Sequence, residues 1–467
     1  MAFLDSAASS QKPEVVVDRV ANYLKFEHAN IHRGAYRLSA YATEAYEAAR
    51  KKVAQFLGAQ DDRSIVFGKN ATEMINLVAY SYGEKLSSGD RVLLTLLEHH
   101  SNIVPWQMLA NRRGVKVDFA AINEDASLDL DDFSKKIKEG RPKLVSFVAH
   151  SNAFGTVLPI QQMIELAHSV GAKVLVDATQ YVVHSPVDVK SLNADFLVFT
   201  GHKLYGPTGV GVLYGKPEIL EEMEPFLGGG DMIEQVTTEG STWAEIPRRF
   251  EAGTPAIAEV IGLATAIDFV QEIGLDQIAA HENTVHDYAI EQLSKEPGVK
   301  IYGPRGVGAQ RSIIPFNVDG VHPHDLGTIF DSVNVQIRAG HHCAMPALRA
   351  LKLQATARAS LAVYSDFEDI DALCFGIREA RRIVTASTRP SAEARSCGIR
   401  PRSMRFATSE VMNTVLPARD RPVTPSRSEG DTSPAARPVS VSSAMRASSP
   451  MLVKAAKRNV SRSWLPI

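Results

Sequence analysis

The chain has 467 residues, of which 45% are hydrophobic, 22% charged and 7% aromatic, the composition of a soluble globular protein. No run approaches the ~20 apolar residues that span a bilayer. The first residues, MAFLDSAASSQKP, lack the basic stretch and apolar stretch of a secretory signal. We therefore expect no membrane association.

Charge is distributed unevenly along the chain. Residues 1–384 contain 37 Lys and Arg against 48 Asp and Glu, a net charge of −11, which argues against a nucleic-acid-binding surface. Residues 385–467 carry a net charge of +9, and Ser, Pro, Arg and Ala dominate them. Such a segment buries too little apolar surface to offset its ordering entropy, so we predict a disordered basic tail. Binding of this tail to an acidic partner or nucleic acid is the alternative interpretation.

The cysteine content indicates a reducing compartment. The chain has three cysteines, Cys343, Cys374 and Cys397, which are too few and too scattered for a disulfide framework. A cytoplasmic location is the expectation that follows.

Strands and helices alternate from about residue 43 onward. The spacing of apolar residues predicts helices over 43–57, 72–83 and 160–170. Short Val-, Leu- and Phe-rich runs predict strands over 64–67, 91–96, 115–121, 143–148, 173–178, 195–199 and 209–215. This pattern is typical of an α/β fold whose mainly parallel central sheet is sandwiched by helices. Ligands of such sheets bind beyond the carboxyl ends of the strands.

The pattern changes after residue 251, where a long helical stretch over 258–274 leads into a second α/β region. We therefore predict a large ligand-binding domain over 21–255 and a smaller domain over 256–384. An N-terminal segment, 1–20, would pack with the smaller domain.

Lys203 is the first candidate functional residue. It follows a predicted strand within FTGHKLYGPTG, and Thr200 and His202 stand just before it. A hydroxyl and an imidazole can bind a phosphate, while a lysine amine condenses with an aldehyde. A surface loop lysine is the alternative.

Asp177 ends the apolar strand KVLVD, and Gln180 follows three residues later. A buried carboxylate needs a cationic partner, and a protonated pyridine ring is one. A helix-capping or turn aspartate remains an equal alternative.

Two further segments follow predicted strands. Thr72 opens a helix in NATEMIN, where free N–H groups favour an anion. His99 and His100 follow RVLLTL, where a ring can lie on a flat cofactor. An ordinary helix cap and a structural histidine are the respective alternatives.

Cys343 lies in RAGHHCAMP, a turn that begins at Gly340 and ends before Pro346. Two imidazoles and an arginine nearby favour the reactive thiolate, so we interpret Cys343 as a nucleophile. A metal site is not expected, because two adjacent residues rarely point at one ion. Cys374, within an apolar helix, is instead interpreted as buried and inert.

Together these motifs resemble the class V aminotransferase family, and most closely its SUF-type (group II) cysteine desulfurases. The resemblance spans residues 1–384 in family order. Its matching stretches are FLDSAASSQKP (3–13), NIHRG (30–34), EHHSNIVPWQ (98–107), SNAFGT (151–156), DATQ (177–180), TGHKLYGPTG (200–209), RFEAGTP (249–255), RAGHHCAMP (338–346) and ARASLAVY (357–364). Departures such as DATQY, and Ala71 in place of a Thr, should be tolerated, because the contacting groups survive or backbone amides can substitute for them.

The resemblance implies a homodimer of fold type I that uses pyridoxal 5'-phosphate, bound by the large domain. Lys203 would bond to the cofactor aldehyde, Asp177 would pair with its ring nitrogen, Gln180 would contact its ring oxygen, and His99 would stack on the ring. The remaining implied roles are phosphate binding by Thr72, Thr200 and His202, phosphate binding in the partner subunit by Thr254, substrate carboxylate binding by Arg358 and Asn152, and lining of the pocket by His32 and Arg338.

The resemblance also implies the reaction. Free L-cysteine would be converted to L-alanine, and its sulfur would remain as a persulfide on Cys343 until a sulfur-acceptor protein collects it. Iron–sulfur cluster assembly is the destination that the family resemblance implies. The alternatives are a selenocysteine lyase on the same scaffold and a non-catalytic scaffold that binds the cofactor.

Overall fold

The computed structural model describes residues 1–306 and 311–388. The strands, numbered β1 to β15, are Ala2–Phe3, Ile65–Gly68, Arg91–Thr95, Lys116–Ala120, Leu144–Val148, Lys173–Asp177, Phe196–Thr200, Gly211–Gly215, Ile233–Val236, Ser241–Trp243, Val299–Ile301, Ile313–Val318, Val335–Gln336, Arg338–Gly340 and Thr356–Ser360. The predicted disorder of 385–467 falls almost entirely outside the described residues.

Helices occupy most of the segments between these strands. Numbered α1 to α14, they are Glu14–Asn22, Arg37–Phe56, Ala71–Ser81, Val104–Arg113, Leu130–Gly140, Ile160–His168, Tyr181–His184, Val189–Leu192, Pro217–Glu221, Ile257–Ile273, Leu275–Lys295, Pro323–Ser332, Met345–Ala350 and Phe367–Thr388. Across the described part of the chain, none of them is long and apolar enough to cross a membrane.

A seven-stranded sheet in the order β2-β8-β7-β6-β5-β3-β4 forms the centre of the fold. Only β8 runs against the others, because it pairs antiparallel with both β2 and β7, while the remaining neighbours are parallel. The predicted α/β fold with a mainly parallel central sheet is confirmed. All seven predicted strands lie in it, each within two residues of its predicted bounds.

Apolar side chains on both faces explain why the sheet is covered twice. Leu93 of β3 packs into a cluster that contains residues of α2, α5, α6 and α10. Its neighbours Val92 and Leu94 point the other way, into a cluster with residues of α3 and α4. Strand side chains alternate between faces, so these fully apolar strands need helices on both sides.

A four-stranded antiparallel sheet in the order β11-β12-β15-β14 follows in the C-terminal half. Its core contains residues of α11, α12 and α14. The N-terminus joins it, since β1 pairs with β13 and the N–H of Ser360 donates to the carbonyl of Leu4 at 2.7 Å. The domain boundaries at residues 20, 255 and 384 stay predictions.

Helix α2 differs from its predicted bounds. It begins at Arg37, six residues before the predicted start, and ends at Phe56. In the first turns of α2, apolar residues such as Leu38 and Tyr41 are exposed rather than buried. The apolar residues therefore follow the helical spacing clearly only after these turns, and the sequence pattern places the start of the helix too late.

Candidate active site

A cavity of about 240 Å³ lies at the carboxyl ends of the parallel strands. Eleven of the thirteen predicted site residues line it: Thr72, His99, Asn152, Asp177, Gln180, Thr200, His202, Lys203, Arg338, Cys343 and Arg358. Strand ends that are far apart in the sequence meet at one edge of the parallel sheet, which brings most of these residues together. Arg338, Cys343 and Arg358 come instead from β14, β15 and the loop after β14.

Lys203 reaches the cavity from a short turn of 3₁₀ helix, Gly201–Lys203, that directly follows β7. Burial lowers the pKa of its amine to about 8, and the nearby guanidinium of Arg358 acts in the same direction. Asp177 opposes the shift. A substantial fraction of this amine is therefore neutral near physiological pH, the form that attacks a carbonyl carbon.

Asp177 is the last residue of β6 and is 3% exposed. Its Oδ1 accepts the N–H of Thr179 at 3.0 Å. Burial raises the pKa of Asp177, because the ionised carboxylate is poorly solvated there. A cation bound next to this carboxylate would therefore stabilise its ionised form. Gln180 is buried beside it, and its Nε2 donates to the carbonyl of Ala7 at 2.8 Å.

An anion site is formed by the start of α3 and the turn after β7. The Asn70 side chain caps α3 by accepting the N–H of Glu73 at 2.9 Å. Thr72, in the first turn, and Thr200 line the same cavity. The first N–H groups of a helix lack partners within it, so they and the hydroxyl groups favour a phosphate there.

Two imidazoles beside this site are neutral. Burial lowers the pKa of His99 to about 3 and that of His202 to about 4, with Lys203 contributing to both shifts. Nδ1 of His99 lies 2.8 Å from the hydroxyl of Ser101, which fixes its ring next to the cavity. A neutral ring suits stacking on a flat aromatic group.

Arg338 and Arg358 are direct partners across the antiparallel pair β14–β15. Nη1 of Arg358 donates to the carbonyl of Asn152 at 2.7 Å, and Nη2 lies 3.1 Å from Oδ1 of Asp5. Nε of Arg358 is buried and has no partner among residues 1–306 and 311–388. This free donor suits a carboxylate ligand.

Cys343 lies in the loop between β14 and α13, and it is exposed. His342 and Cys343 both adopt left-handed backbone conformations, with φ of 50° and 55°. The loop is held in place because the N–H of His100 donates to the carbonyl of Cys343 at 2.8 Å.

The electrostatic surroundings of Cys343 differ from the sequence interpretation. His342 is buried with its Nε2 2.8 Å from Oγ1 of Thr356. Burial lowers its pKa to about 3, with Arg358 contributing, so this imidazole is neutral. The positive charge that faces the loop therefore comes from Arg338 and Arg358 rather than from His342.

Two predicted residues lie elsewhere. Nε2 of His32 lies 2.9 Å from Oε1 of Glu47, a contact that raises the pKa of the imidazole. Thr254 lines a separate groove of about 480 Å³ together with Phe226 and Leu227. Neither residue lines the cavity in a single chain, and their roles stay predictions.

Two acidic residues at the site were not singled out from the sequence. Asp5 contacts both arginines, and Glu98, the residue before His99, is fully buried. Asp5 lies in the stretch FLDS and Glu98 in the stretch EHHSN, both of which belong to the matching motifs. A single acidic residue within such a motif is the sequence feature that could have identified each of them.

The residues present fit pyridoxal phosphate. A partly neutral lysine amine suits the aldehyde, a buried aspartate suits the ring nitrogen, and a helix N-terminus with two threonines suits the phosphate. All three lie around one cavity.

Comparisons with known proteins agree with this arrangement. The chain is 44% identical over 382 residues to a probable cysteine desulfurase of Halalkalibacterium halodurans, covering 82% of this chain and 93% of that protein. It is 46% identical over 386 residues to a cysteine desulfurase of Dickeya dadantii, covering 82% and 93%.

Solved structures give the same result. The apo structure of a cysteine desulfurase from Thermococcus onnurineus has a TM-score of 0.79 and 41% identity, with 82% of this chain and 94% of that chain covered. The cysteine desulfurase CsdA from Escherichia coli has a TM-score of 0.76 and 38% identity, covering 82% and 95%. Residues 2–373 match the family described as aminotransferase class-V, and the chain belongs to that family.

Proposed function

We propose that this chain is a pyridoxal-phosphate-dependent cysteine desulfurase that converts L-cysteine to L-alanine and carries the released sulfur as a persulfide on Cys343. The observation that carries the proposal is the convergence of Lys203, Arg358 and Cys343 on one cavity. A cofactor-binding amine, a carboxylate-binding guanidinium and a thiol are the three groups this reaction needs.

When bound, the cofactor supplies an aldehyde for the substrate amine and a ring that stabilises negative charge at the substrate Cα. Lys203, Asp177, Gln180 and His99 would hold its aldehyde and ring. Thr72, Thr200 and His202 would hold its phosphate.

The chain's own residues then bind the substrate and move its atoms. The guanidinium of Arg358 holds the substrate carboxylate, and Asn152 supports that arginine through its main-chain carbonyl. Nζ of Lys203, with its pKa near 8, takes a proton from Cα and can return it at neutral pH.

Sulfur transfer is a displacement at the substrate sulfur. The Cys343 thiolate attacks that sulfur, an S–S bond forms, and the substrate C–S bond breaks. With the protons counted, one L-cysteine and one thiol give one L-alanine and one persulfide, so no external oxidant is required. Arg338 and Arg358 line the same cavity as this thiol and place positive charge beside it.

The geometry of the Cys343 loop supports transfer to a separate acceptor protein. Only residues 341–344 connect β14 to α13, and the loop is tied to His100. A thiol on so short a loop cannot travel far, so an acceptor must approach its exposed surface. This property supports the SUF-type assignment and a role in iron–sulfur cluster assembly.

Two further features belong to the same proposal. The position of Thr254 outside its own cavity, beside the 46%-exposed Leu227, supports a homodimer in which it reaches the partner's cofactor. The scarcity of cysteines supports a cytoplasmic location.

The test is a stoichiometric assay on purified protein reconstituted with pyridoxal phosphate. With L-cysteine and a small thiol reductant, we expect alanine and sulfide in equal amounts. Cys343→Ser should lower alanine formation at least about 100-fold, the scale expected for loss of a nucleophile. Cys374→Ser is the matched control, because Cys374 is 4% exposed in α14 and burial raises its pKa to about 11.

Three outcomes would contradict the proposal. Alanine formation from L-selenocysteine alone would indicate the lyase, and cofactor binding with no product from either substrate would indicate a scaffold. Full activity in Cys343→Ser would show that sulfur leaves without this thiol.

A further inference from the structure

Thr179 is a polar residue at the cavity to which the proposed function gives no role. It lies two residues after Asp177 and lines the same cavity. Its Oγ1 is buried and has no hydrogen-bond partner of suitable geometry among residues 1–306 and 311–388. A buried hydroxyl without a partner is destabilising, so such a group at a ligand cavity indicates a hydrogen bond that forms when the ligand is present.

The turn after β6 already holds Thr179 beside Asp177. The N–H of Thr179 donates to Oδ1 of Asp177 at 3.0 Å. Burial raises the pKa of this aspartate, and the hydroxyl and the N–H of Thr179 both oppose that shift. The hydroxyl is therefore close to the carboxyl group without a well-formed hydrogen bond to it. Rotation about the Cα–Cβ bond of Thr179 is the motion that would complete this bond.

The charges that face Asp177 explain why its carboxylate needs donors. Lys203 is the cation that acts on it in the free protein. Glu98, the neighbouring acid, is mostly protonated at neutral pH because burial raises its pKa to about 8. In the proposed cofactor-loaded protein Lys203 is bonded to the aldehyde, so the carboxylate depends on the ring nitrogen and on its own hydrogen-bond donors. A carboxylate has about four lone-pair sites, enough for the Thr179 N–H, the ring nitrogen and a hydroxyl together.

We infer that Thr179 is a positioning residue for the cofactor: when the cofactor binds, the Thr179 hydroxyl donates a hydrogen bond to the Asp177 carboxylate and so stabilises the ion pair between Asp177 and the protonated ring nitrogen. This inference rests on the proposed function, from which it takes the pairing of Asp177 with that nitrogen. Thr179 lies within DATQY, a stretch that departs from the family pattern, so the motif itself assigned it no role.

The test is a fluorescence titration of the apoprotein with pyridoxine 5'-phosphate, which has the ring and the phosphate but no aldehyde for Lys203. Thr179→Val replaces the hydroxyl with a methyl group at nearly constant shape. We expect it to weaken probe binding about tenfold, the scale of one hydrogen bond to a charged group. Thr179→Ser keeps the hydroxyl and should bind the probe as tightly as the wild type.

Two further measurements identify the acceptor of the hydroxyl. The absorption spectrum of the bound probe reports the protonation of its ring, and Thr179→Val should lower the ring-protonated fraction. In an Asp177→Asn background the effect of Thr179→Val on affinity should shrink to about threefold, because a neutral amide accepts a hydrogen bond about half as strongly as a carboxylate.

Ser81→Ala is the matched control. Ser81 lies in α3, does not line the cavity, and has a buried hydroxyl that also lacks a partner among the described residues. Its removal should leave the affinity and the spectrum of the probe unchanged. If Thr179→Val does not fold, Thr179→Ala takes its place, because its smaller side chain fits the same space.

Unchanged affinity and spectrum in Thr179→Val overturn the inference. An equal loss in Thr179→Ser or in Ser81→Ala also overturns it, as does a tenfold loss that persists undiminished in the Asp177→Asn background. Alanine formation from L-cysteine by the wild type is measured separately. Its absence would contradict the proposed function, whereas the comparison of probe affinities uses no substrate and still decides the role of Thr179.

Discussion

The main-chain N–H of His100 donates a hydrogen bond to the main-chain carbonyl of Cys343 across 2.8 Å. A second contact reinforces it, because Nε2 of His100 accepts the N–H of Met345 at 3.1 Å. The residue after the predicted stacking histidine thus fixes both sides of the thiol loop. One segment after β3 therefore positions together the ring that we propose stacks on the cofactor and the thiol that we propose as the nucleophile.

Replacing His100 with alanine is expected to loosen this loop. The main-chain bond survives but the side-chain acceptor is lost, which corresponds to about 1 kcal/mol or roughly a fivefold change in loop opening. Iodoacetamide should therefore alkylate Cys343 about fivefold faster, and alanine formation should fall while cofactor absorbance is retained. His28→Ala, at an exposed position, is the control. Unchanged alkylation would show that the side chain does not restrain the thiol.

Attachment of pyridoxal phosphate to the apoprotein should depend on pH. Only the neutral Lys203 amine attacks the aldehyde, and burial lowers its pKa to about 8. The attachment rate should therefore rise about tenfold per pH unit up to pH 7 and become constant above about pH 9. Stopped-flow absorbance gives the rates.

Lys12 provides an internal check on that assignment. Burial also lowers its pKa to about 8, yet its Nζ donates to the carbonyls of Ser10 and His202, each at 2.7 Å. Borohydride trapping followed by peptide mass analysis should place the cofactor on Lys203. In Lys203→Ala no trapped cofactor is expected, and label on Lys12 would refute the assignment.

Much of the fold could be predicted from the sequence because the central strands are apolar on both faces. An apolar run of this kind is stable only as a strand inside a sheet that helices cover on both faces. The bounds of the strands, and the edge of the sheet at which they end, can therefore be predicted from the local sequence pattern. Lys203, Asp177 and His99 could be placed for the same reason: Asp177 ends β6, and Lys203 and His99 lie within four residues of the ends of β7 and β3.

The partners and charge states of several site residues could not be predicted, because they depend on contacts between distant parts of the chain. Asp5 meets Arg358 across 353 residues, and nothing local in FLDS indicates an arginine partner. The neutrality of His342 results from its burial against Thr356, whereas the sequence shows only an imidazole beside a cysteine. Burial and long-range pairing set these charges, and neither has a local signature.

Glu251 should be essential for stability. Its carboxylate accepts Nη1 of Arg50 and the N–H of Phe67, both at 2.7 Å, and the two charged side chains are 5% and 2% exposed. Glu251→Ala removes the buried carboxylate that pairs with Arg50 and leaves the guanidinium only the partly exposed Glu47 and the carbonyl of Ile65, so we expect the free energy of unfolding to fall by about 3 kcal/mol. Urea denaturation at one fixed protein concentration measures it.

The control for Glu251 is an exposed ion pair. Lys295 and Glu291 lie one turn apart in α11, with side chains 59% and 63% exposed. Lys295→Ala should change the free energy of unfolding by no more than about 0.5 kcal/mol, apart from the small helix-propensity effect. Equal losses in the two variants would show that burial does not set the value of the Arg50–Glu251 pair.

Glu98 should make the folded protein less stable as the pH rises from neutral to alkaline values. It is fully buried, and its carboxyl oxygens contact Oγ1 of Thr95 at 2.5 Å and Nδ2 of Asn102 at 2.7 Å. Burial raises its pKa from 4.5 to about 8, so at neutral pH the folded protein holds a proton that the unfolded chain has released. A raised folded-state pKa contributes stability that is fully present below pH 4.5 and lost as pH rises through about 8.

Glu98→Gln separates this proton from the packing. The amide keeps the shape and the polar contacts but cannot ionise, so the wild type should lose roughly 1–4 kcal/mol relative to Glu98→Gln between pH 5 and pH 9. Glu98→Ala should instead be about 2–4 kcal/mol less stable than Glu98→Gln at every pH, because Asn102 and Thr95 are left buried without this partner. Urea denaturation of the three proteins across this range is the measurement. Parallel pH curves for the wild type and Glu98→Gln would mean that the carboxyl group is ionised throughout and that its burial is compensated by its hydrogen-bond donors.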